Sequence, residues 1–286
     1  METREARERQ FFDETVAAGS PTRILLGRFS EAFYEKGSRG CLWSPFWETA
    51  NLNGAVVLDY GCGDGQFSII LAGRGARVFG IDISPKLIEQ ARATAAMIGR
   101  NGNSPEFVVG DAHHTPFEDA MFDYVLGNGA LHHLDLEKAL AEIARLLKPG
   151  GKALFLEPMY YHPLLWVLRR LTPKTRTADE RPLSLADIER ARKWFRACRH
   201  REHFLFAVCA APARLFGKPF ALAVIGALDR VDEQLMRLLP GLRRYAWLTL
   251  IEMEKQAALI PPHLGPARDR PATFVSETSY PNPSGP

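Results

Sequence analysis

The middle of the chain alternates two hydrophobic rhythms. Short apolar runs, Ala55–Tyr60 (AVVLDY), Arg77–Asp82 (RVFGID), Glu106–Gly110, Phe122–Gly127 and Lys152–Glu157 (KALFLE), predict five buried strands. Between them lie helical signals: near Gln66–Gly73, over Pro85–Ile98 with proline at its start, and over Leu136–Leu147 before the stop Lys148-Pro149-Gly150-Gly151. Short apolar strands alternating with helices predict a parallel sheet covered on both faces. The later part is less regular. Ser184–Phe195 has a serine cap and helical period, and Glu202–Val208 and Ala246–Glu254 predict two further strands. The apolar segment Ala210–Leu239 between them predicts helix, and Pro261–Pro286, rich in proline and polar residues, predicts a loosely attached tail.

The chemistry gathers at strand ends. Val56–Gly65 (VVLDYGCGDG) runs from a strand into Gly61-x-Gly63-x-Gly65 and then a helix, so a ligand can lie against the backbone. A glycine turn alone can be merely tight. Here Asp82 ends the second strand and Asp111 follows the third, both at the sheet edge where ligands bind. Taken singly, each aspartate reads equally as a helix cap or a solvated loop residue. Beyond the fourth strand comes Gly127–Asp135 (GNGALHHLD). Adjacent histidines are expected to point apart and to hold no metal. The remaining uses of His132 and His133 are packing, polar lining, or proton removal near neutral pH. Glu157, Tyr160, Tyr161 and His162, in EPMYYHP, are further base candidates at the same edge, against a reading as an ordinary aromatic loop.

The ordered set Val56–Gly65, Asp82, Gly110-Asp111-Ala112, Gly127–Leu134 and Leu147–Gly151 resembles the class I S-adenosylmethionine-dependent methyltransferases. The resemblance is to the group that includes quinone C-methyltransferases and small-molecule O- and C-methyltransferases. It covers about Phe33 to Glu157. It implies a doubly wound, Rossmann-like α/β fold: a mostly parallel seven-stranded sheet whose last strand, Ala246–Glu254, is antiparallel, with N-terminal helices and helical lid insertions. It implies roles too. Gly61, Gly63 and Gly65 would pass under the methionine part of S-adenosylmethionine, and Asp59 would organise that loop and the amino group. Asp82 would hold the ribose, Ile83 would pack on the adenine, and Asp111 would accept from the adenine amino group beside the Ala112 backbone. Asn128 and Gly129 would border the methionine end, with Tyr34 closing over the cofactor. A dehydrogenase fits less well, because the spacing is not Gly-x-Gly-x-x-Gly. The organisation expected is a helical cap at 1–50, a cofactor-binding core at 51–157, a second half at 158–259 with lid insertions at 158–182 and 210–239, and a tail at 260–286.

Composition narrows the partners. A net charge of +3 does not announce a nucleic-acid binder. Four cysteines without framework spacing suit a reducing, cytoplasmic setting, and the charged N-terminus is unlike a signal peptide. The apolar runs Phe204–Ala213 and Phe220–Leu228 are shorter than a spanning helix requires. The resemblance implies that these apolar insertions build a substrate lid, and so a lipophilic small-molecule acceptor of secondary-metabolite, prenyl, quinone or lipid type; the competing reading is an extra helical layer that buries itself. The basic stretch from Arg169 to Arg201 is expected to be a solvated face, with an anionic substrate group or acidic lipid (peripheral membrane contact) as sharper readings. The alternative function is a cofactor-binding homologue that transfers no methyl group: a cyclase, scaffold or regulator.

Overall fold

The computed structural model describes residues 3–18, 41–98, 104–173, 176–177 and 179–257. Tyr34 and the segment 260–286 lie outside the described residues. Seven strands form one sheet: β1 Val56–Tyr60, β2 Arg77–Asp82, β3 Glu106–Val109, β4 Phe122–Asn128, β5 Leu147–Pro158, β6 Ala197–His203 and β7 Leu248–Glu254. Their spatial order is β3-β2-β1-β4-β5-β7-β6. The pairs among β1–β5 are parallel, whereas β7 runs antiparallel to both β5 and β6. The doubly wound sheet with an antiparallel last strand is therefore the fold of this chain.

The described helices are α1 Arg4–Ala18, α2 Ser44–Thr49, α3 Gln66–Ala72, α4 Pro85–Ile98, α5 Leu136–Leu146, α6 Pro163–Leu171, α7 Leu185–Glu189 and α8 Lys218–Leu238. Two large apolar clusters, one on Val57, Leu126 and Leu154 and the other on Leu58, Val125 and Phe155, cover the sheet on its two faces. Alternation along β1, β4 and β5 sends successive side chains into opposite clusters. Each fully buried Leu or Phe contributes roughly 1.5–3 kcal/mol.

Three boundaries depart from the sequence pattern. β6 lies at Ala197–His203 rather than Glu202–Val208. An edge strand pairs on one side only and tolerates the polar run Arg199–Arg201. The apolar run after it leaves the sheet at Phe204, whose φ of 63° ends the extended backbone, and continues as 3-10 turns over Ala207–Phe216. Helix α7 keeps its serine cap, with Ser184 and Asp187 bonded reciprocally, but gives way to a 3-10 turn at Arg190–Lys193. Strand β5 begins five residues early, at Leu147, because Lys148–Gly151 joins the sheet across an irregularity in its pairing with β4.

Helix α1 is tied down by polar contacts. Ser84 Oγ donates to Asp13 Oδ1 (2.6 Å), Arg7 Nε donates to Asp179 Oδ2 (2.8 Å), and Thr177 Oγ1 donates to Glu8 Oε1 (2.5 Å). No described helix is long and apolar enough to cross a membrane.

Candidate active site

The glycine loop turns at the carboxyl end of β1. Gly61, Gly63 and Gly65 have φ values of 76°, 53° and 76°, in the left-handed region that glycine enters without strain. A side chain at Gly61 would meet Ala130 Cβ at 2.8 Å, and one at Gly65 would meet Phe107 Cζ at 2.7 Å. At Gly63 there is open space. Asp82 holds the loop from β2: Gly63 N–H donates to its Oδ2 and Ser84 N–H to its Oδ1, each at 2.9 Å. Burial pushes the Asp82 carboxyl up, opposed by these N–H groups. Beneath the loop, Ser68 Oγ donates to Asp59 Oδ2 (2.5 Å), and burial pushes the Asp59 carboxyl up to about 7.

A cavity of about 460 Å³ opens over this loop. Of the residues the sequence nominated, it is lined by Gly61, Gly63, Asp82, Ile83, Asp111, Ala112, Asn128, Gly129, His132 and His133. Asp59 and Gly65 support the loop from below and do not line the cavity. Sequence reasoning missed the wall formed by α1, which contributes Arg4, Glu5, Glu8 and Phe12. Only the docking of a distant helix puts them there. It also missed His113. That ring contacts Asp111 Oδ1 through Nδ1 (2.8 Å) while its Nε2 accepts the Asp135 N–H (2.9 Å). With Nε2 an acceptor, Nδ1 carries the proton and orients the Asp111 carboxylate. The two-residue spacing in Asp-Ala-His was the available signal.

The paired histidines do not point apart. They sit in a 3-10 turn, and their rings lie 4.1 Å between centroids. His132, His133 and Glu180 bring possible ligand atoms within 4.8 Å of one another, so adjacency does not by itself exclude a shared ligand. Glu180 also lies 3.4 Å from Arg169, and Glu8 Oε2 lies 3.2 Å from His133 Nδ1.

Glu157, at the end of β5, is fully buried. Its Oε1 accepts the N–H groups of Ala130 (2.9 Å) and Leu131 (2.8 Å), and its Oε2 lies 2.7 Å from His132 Nδ1. A carboxylate in that position places the proton on Nδ1 and leaves Nε2 a lone pair. Burial pushes the His132 pKa down, and the neighbouring His133 adds to this, so the ring is held neutral. The other nominated bases stand elsewhere. Tyr160 and Tyr161 are exposed and do not line the cavity. His162 caps α6 by accepting the Leu165 N–H (3.4 Å), and its Nε2 lies 3.0 Å from Leu205 O, so both ring nitrogens are occupied.

A glycine loop, two carboxylates and a buried carboxylate–histidine pair thus converge at the carboxyl edge of a 3-2-1-4-5-7-6 sheet. Residues 58–155 match the methyltransferase domain family. Over 108 residues the chain is 39% identical to demethylmenaquinone methyltransferase of Staphylococcus aureus, covering 36% of this chain and 43% of the relative. The chain spans from 30% to 49% of the length of the curated relatives it matches. Among solved structures, phosphoethanolamine N-methyltransferase 2 of Haemonchus contortus, in complex with phosphomonomethylethanolamine and S-adenosylhomocysteine, superposes with a TM-score of 0.59 at 19% identity. The alignment covers 87% of this chain and 60% of that one. Magnesium protoporphyrin IX methyltransferase of Synechocystis, with bound S-adenosylhomocysteine, gives 0.56 at 19% identity, covering 89% and 100%. The fold is the one shared with these two methyltransferase structures.

Proposed function

We propose that the chain binds S-adenosylmethionine in the 460 Å³ cavity and transfers its methyl group to oxygen or carbon of a lipophilic small molecule. The observation that carries this reading is the convergence of the glycine loop, Asp82, Asp111 and the His132–Glu157 pair on one cavity. The residues present fit the group. Gly63 leaves open space above the loop, and Asn128 Oδ1 is buried with no hydrogen-bond partner among the described residues, an acceptor suited to an amino group. Asp82 and Asp111 each keep unused lone pairs for ribose hydroxyls and an adenine amino group. S-adenosylmethionine supplies a methyl carbon on a cationic sulfur, activated for in-line displacement.

The chain's own task is alignment and proton removal. His132, neutral and held by Glu157, is the base we assign; Nε2 takes the proton from the acceptor and Glu157 stabilises the resulting imidazolium. Glu157 touches no acceptor and acts as a positioning residue. Two features support a lipophilic acceptor: the quinone and porphyrin substrates in the names of similar proteins, and the apolar composition of the two insertions.

Calorimetry with S-adenosylhomocysteine tests the cofactor site. Asp82→Ala removes two acceptors, and the expected loss of roughly 2–4 kcal/mol weakens binding about 30-fold to several-hundred-fold. Unchanged affinity would overturn the assignment. Formation of S-adenosylhomocysteine over a panel of quinone, prenyl, polyketide and lipid acceptors then separates a methyltransferase from a homologue that binds the cofactor without turnover.

A further inference from the structure

The largest exposed apolar side chains are concentrated in two stretches. Helix α6 buries none of its residues, and Leu171 at its end is 72% exposed. At the corner where the 3-10 segment meets α8, Leu215 and Phe216 are 80% and 78% exposed, with the Phe220 ring 5.9 Å from that of Phe216. The two stretches are neighbours. His162 Nε2, at the start of α6, lies 3.0 Å from Leu205 O, and Leu165 packs on the same cluster as Ala207, Val208 and Ile225.

Both stretches also leave the sheet at one edge. β7 is antiparallel to β5 and to β6, so β5 and β6 run the same way, and their exits lie on the carboxyl edge that carries the cavity. The charge pattern is one-sided. Residues 159–178 and 204–228 contain no aspartate or glutamate, yet hold Arg169, Arg170, Lys174, Arg176, Arg214 and Lys218. The chain has 36 basic and 33 acidic side chains in all, so outside these stretches acids outnumber bases, 33 to 30. Arg170 lies over the exposed Trp166 ring at 4.3 Å, an aromatic and a cation side by side.

Exposed Leu, Phe and Trp on stretches that carry cations and no carboxylate of their own, although Glu180 pairs with Arg169, match a surface that buries side chains in the headgroup zone of an anionic bilayer. A polar protein partner would not require the apolar face, and an apolar one would not require the charge. We propose that α6 and the corner before α8 form a docking surface for anionic lipid membranes, beside the mouth of the cavity. The surface stands on its own observations. It rests on the methyltransferase reading only for the route it gives a lipophilic acceptor, from the bilayer to the cavity.

The test is co-sedimentation of the full chain with phosphatidylcholine vesicles and with vesicles carrying about one part phosphatidylglycerol in four. The expected result is partitioning at least about tenfold stronger onto the anionic vesicles, weakened by salt. Leu215→Ser with Phe216→Ser should reduce it about tenfold or more, with affinity for S-adenosylhomocysteine unchanged. Should that double variant fail to fold, Trp166→Ala and Arg170→Glu provide the same comparison singly. No partitioning, or equal partitioning of wild type and variants, overturns the proposal. So does hydrogen-exchange protection of 160–171 and 215–220 in the lipid-free protein. If that protection rises with protein concentration, the face belongs to a second copy; if not, another part of the chain covers it. A wild-type chain that binds S-adenosylhomocysteine but no vesicles counts against this surface alone and leaves the methyltransferase reading standing.

Discussion

Glu157 fills four hydrogen-bonding roles with two oxygens, three of them to backbone N–H groups of the turn that carries His132 and one to the ring itself. Glu157→Gln keeps the size and one acceptor but offers an NH2 to Nδ1, which favours the tautomer with the proton on Nε2. Turnover should fall by about 10²–10⁴ while calorimetric affinity for S-adenosylhomocysteine holds. His132→Gln should match it, and near-normal turnover in both would assign the acceptor's deprotonation to something other than this pair. Asp59 gives a second expectation. Burial raises its folded pKa to about 7 from the ordinary 3.8, so the native state binds the extra proton between these values. The stability this contributes is fully present at pH below about 4 and is lost as pH rises to about 7, roughly 4 kcal/mol in all. A cofactor ammonium near this carboxyl would lower its pKa again. Binding at pH 7 should then release about half a proton, and near pH 9 almost none. Calorimetry in buffers of different ionisation enthalpy measures this, and Asp59→Asn should abolish it.

Among the elements, the 3-10 segment Ala207–Phe216 and α8 are the ones whose sequence invites motion. The two apolar runs are broken at 214–219, which predicts a hinge between them. The structure ties them instead: Asp232 on α8 accepts the N–H groups of Phe206 (2.9 Å) and Ala207 (2.8 Å). Gly217, with φ of 103°, turns the chain between them, and α8 then runs unbroken for 21 residues. The pair should therefore move as one unit. Of α8, Ala221, Ile225, Asp232 and Met236 are buried, which leaves much of the helix outside the core. Hydrogen exchange over 207–238 should be faster than over β1 in the free protein and should slow with cofactor plus a productive acceptor, on the pattern of a lid. Exchange as slow as β1 in the free state would mark it as a fixed outer layer. Helix α1 behaves differently at this scale, because polar contacts latch it over the cavity while apolar burial plays little part.

At the scale of the whole molecule, the parallel core was legible because each strand is buried on both faces and therefore reads as an unbroken apolar run. The five central strands and their helices follow from that rhythm within a few residues. So does the placement of the glycine loop, Asp82, Asp111 and Asn128, since strand ends on one edge share one crevice. The edge strand β6 was misplaced by five residues because pairing on one side removes the apolar signature, and a positive φ at Phe204 is invisible in a hydrophobic pattern. Sequence alone determined which residues stand at the carboxyl edge, because strand period and order are local properties. Tertiary structure decided which of them face the cavity. It brought His132 and His133 together through a 3-10 turn, and it set Glu157 behind His132 across 25 positions of chain. It turned His162 onto Leu205 O and laid α1 across the opening. Each of these depends on contacts between segments far apart in the chain, where the direction of a side chain is set by what packs against it.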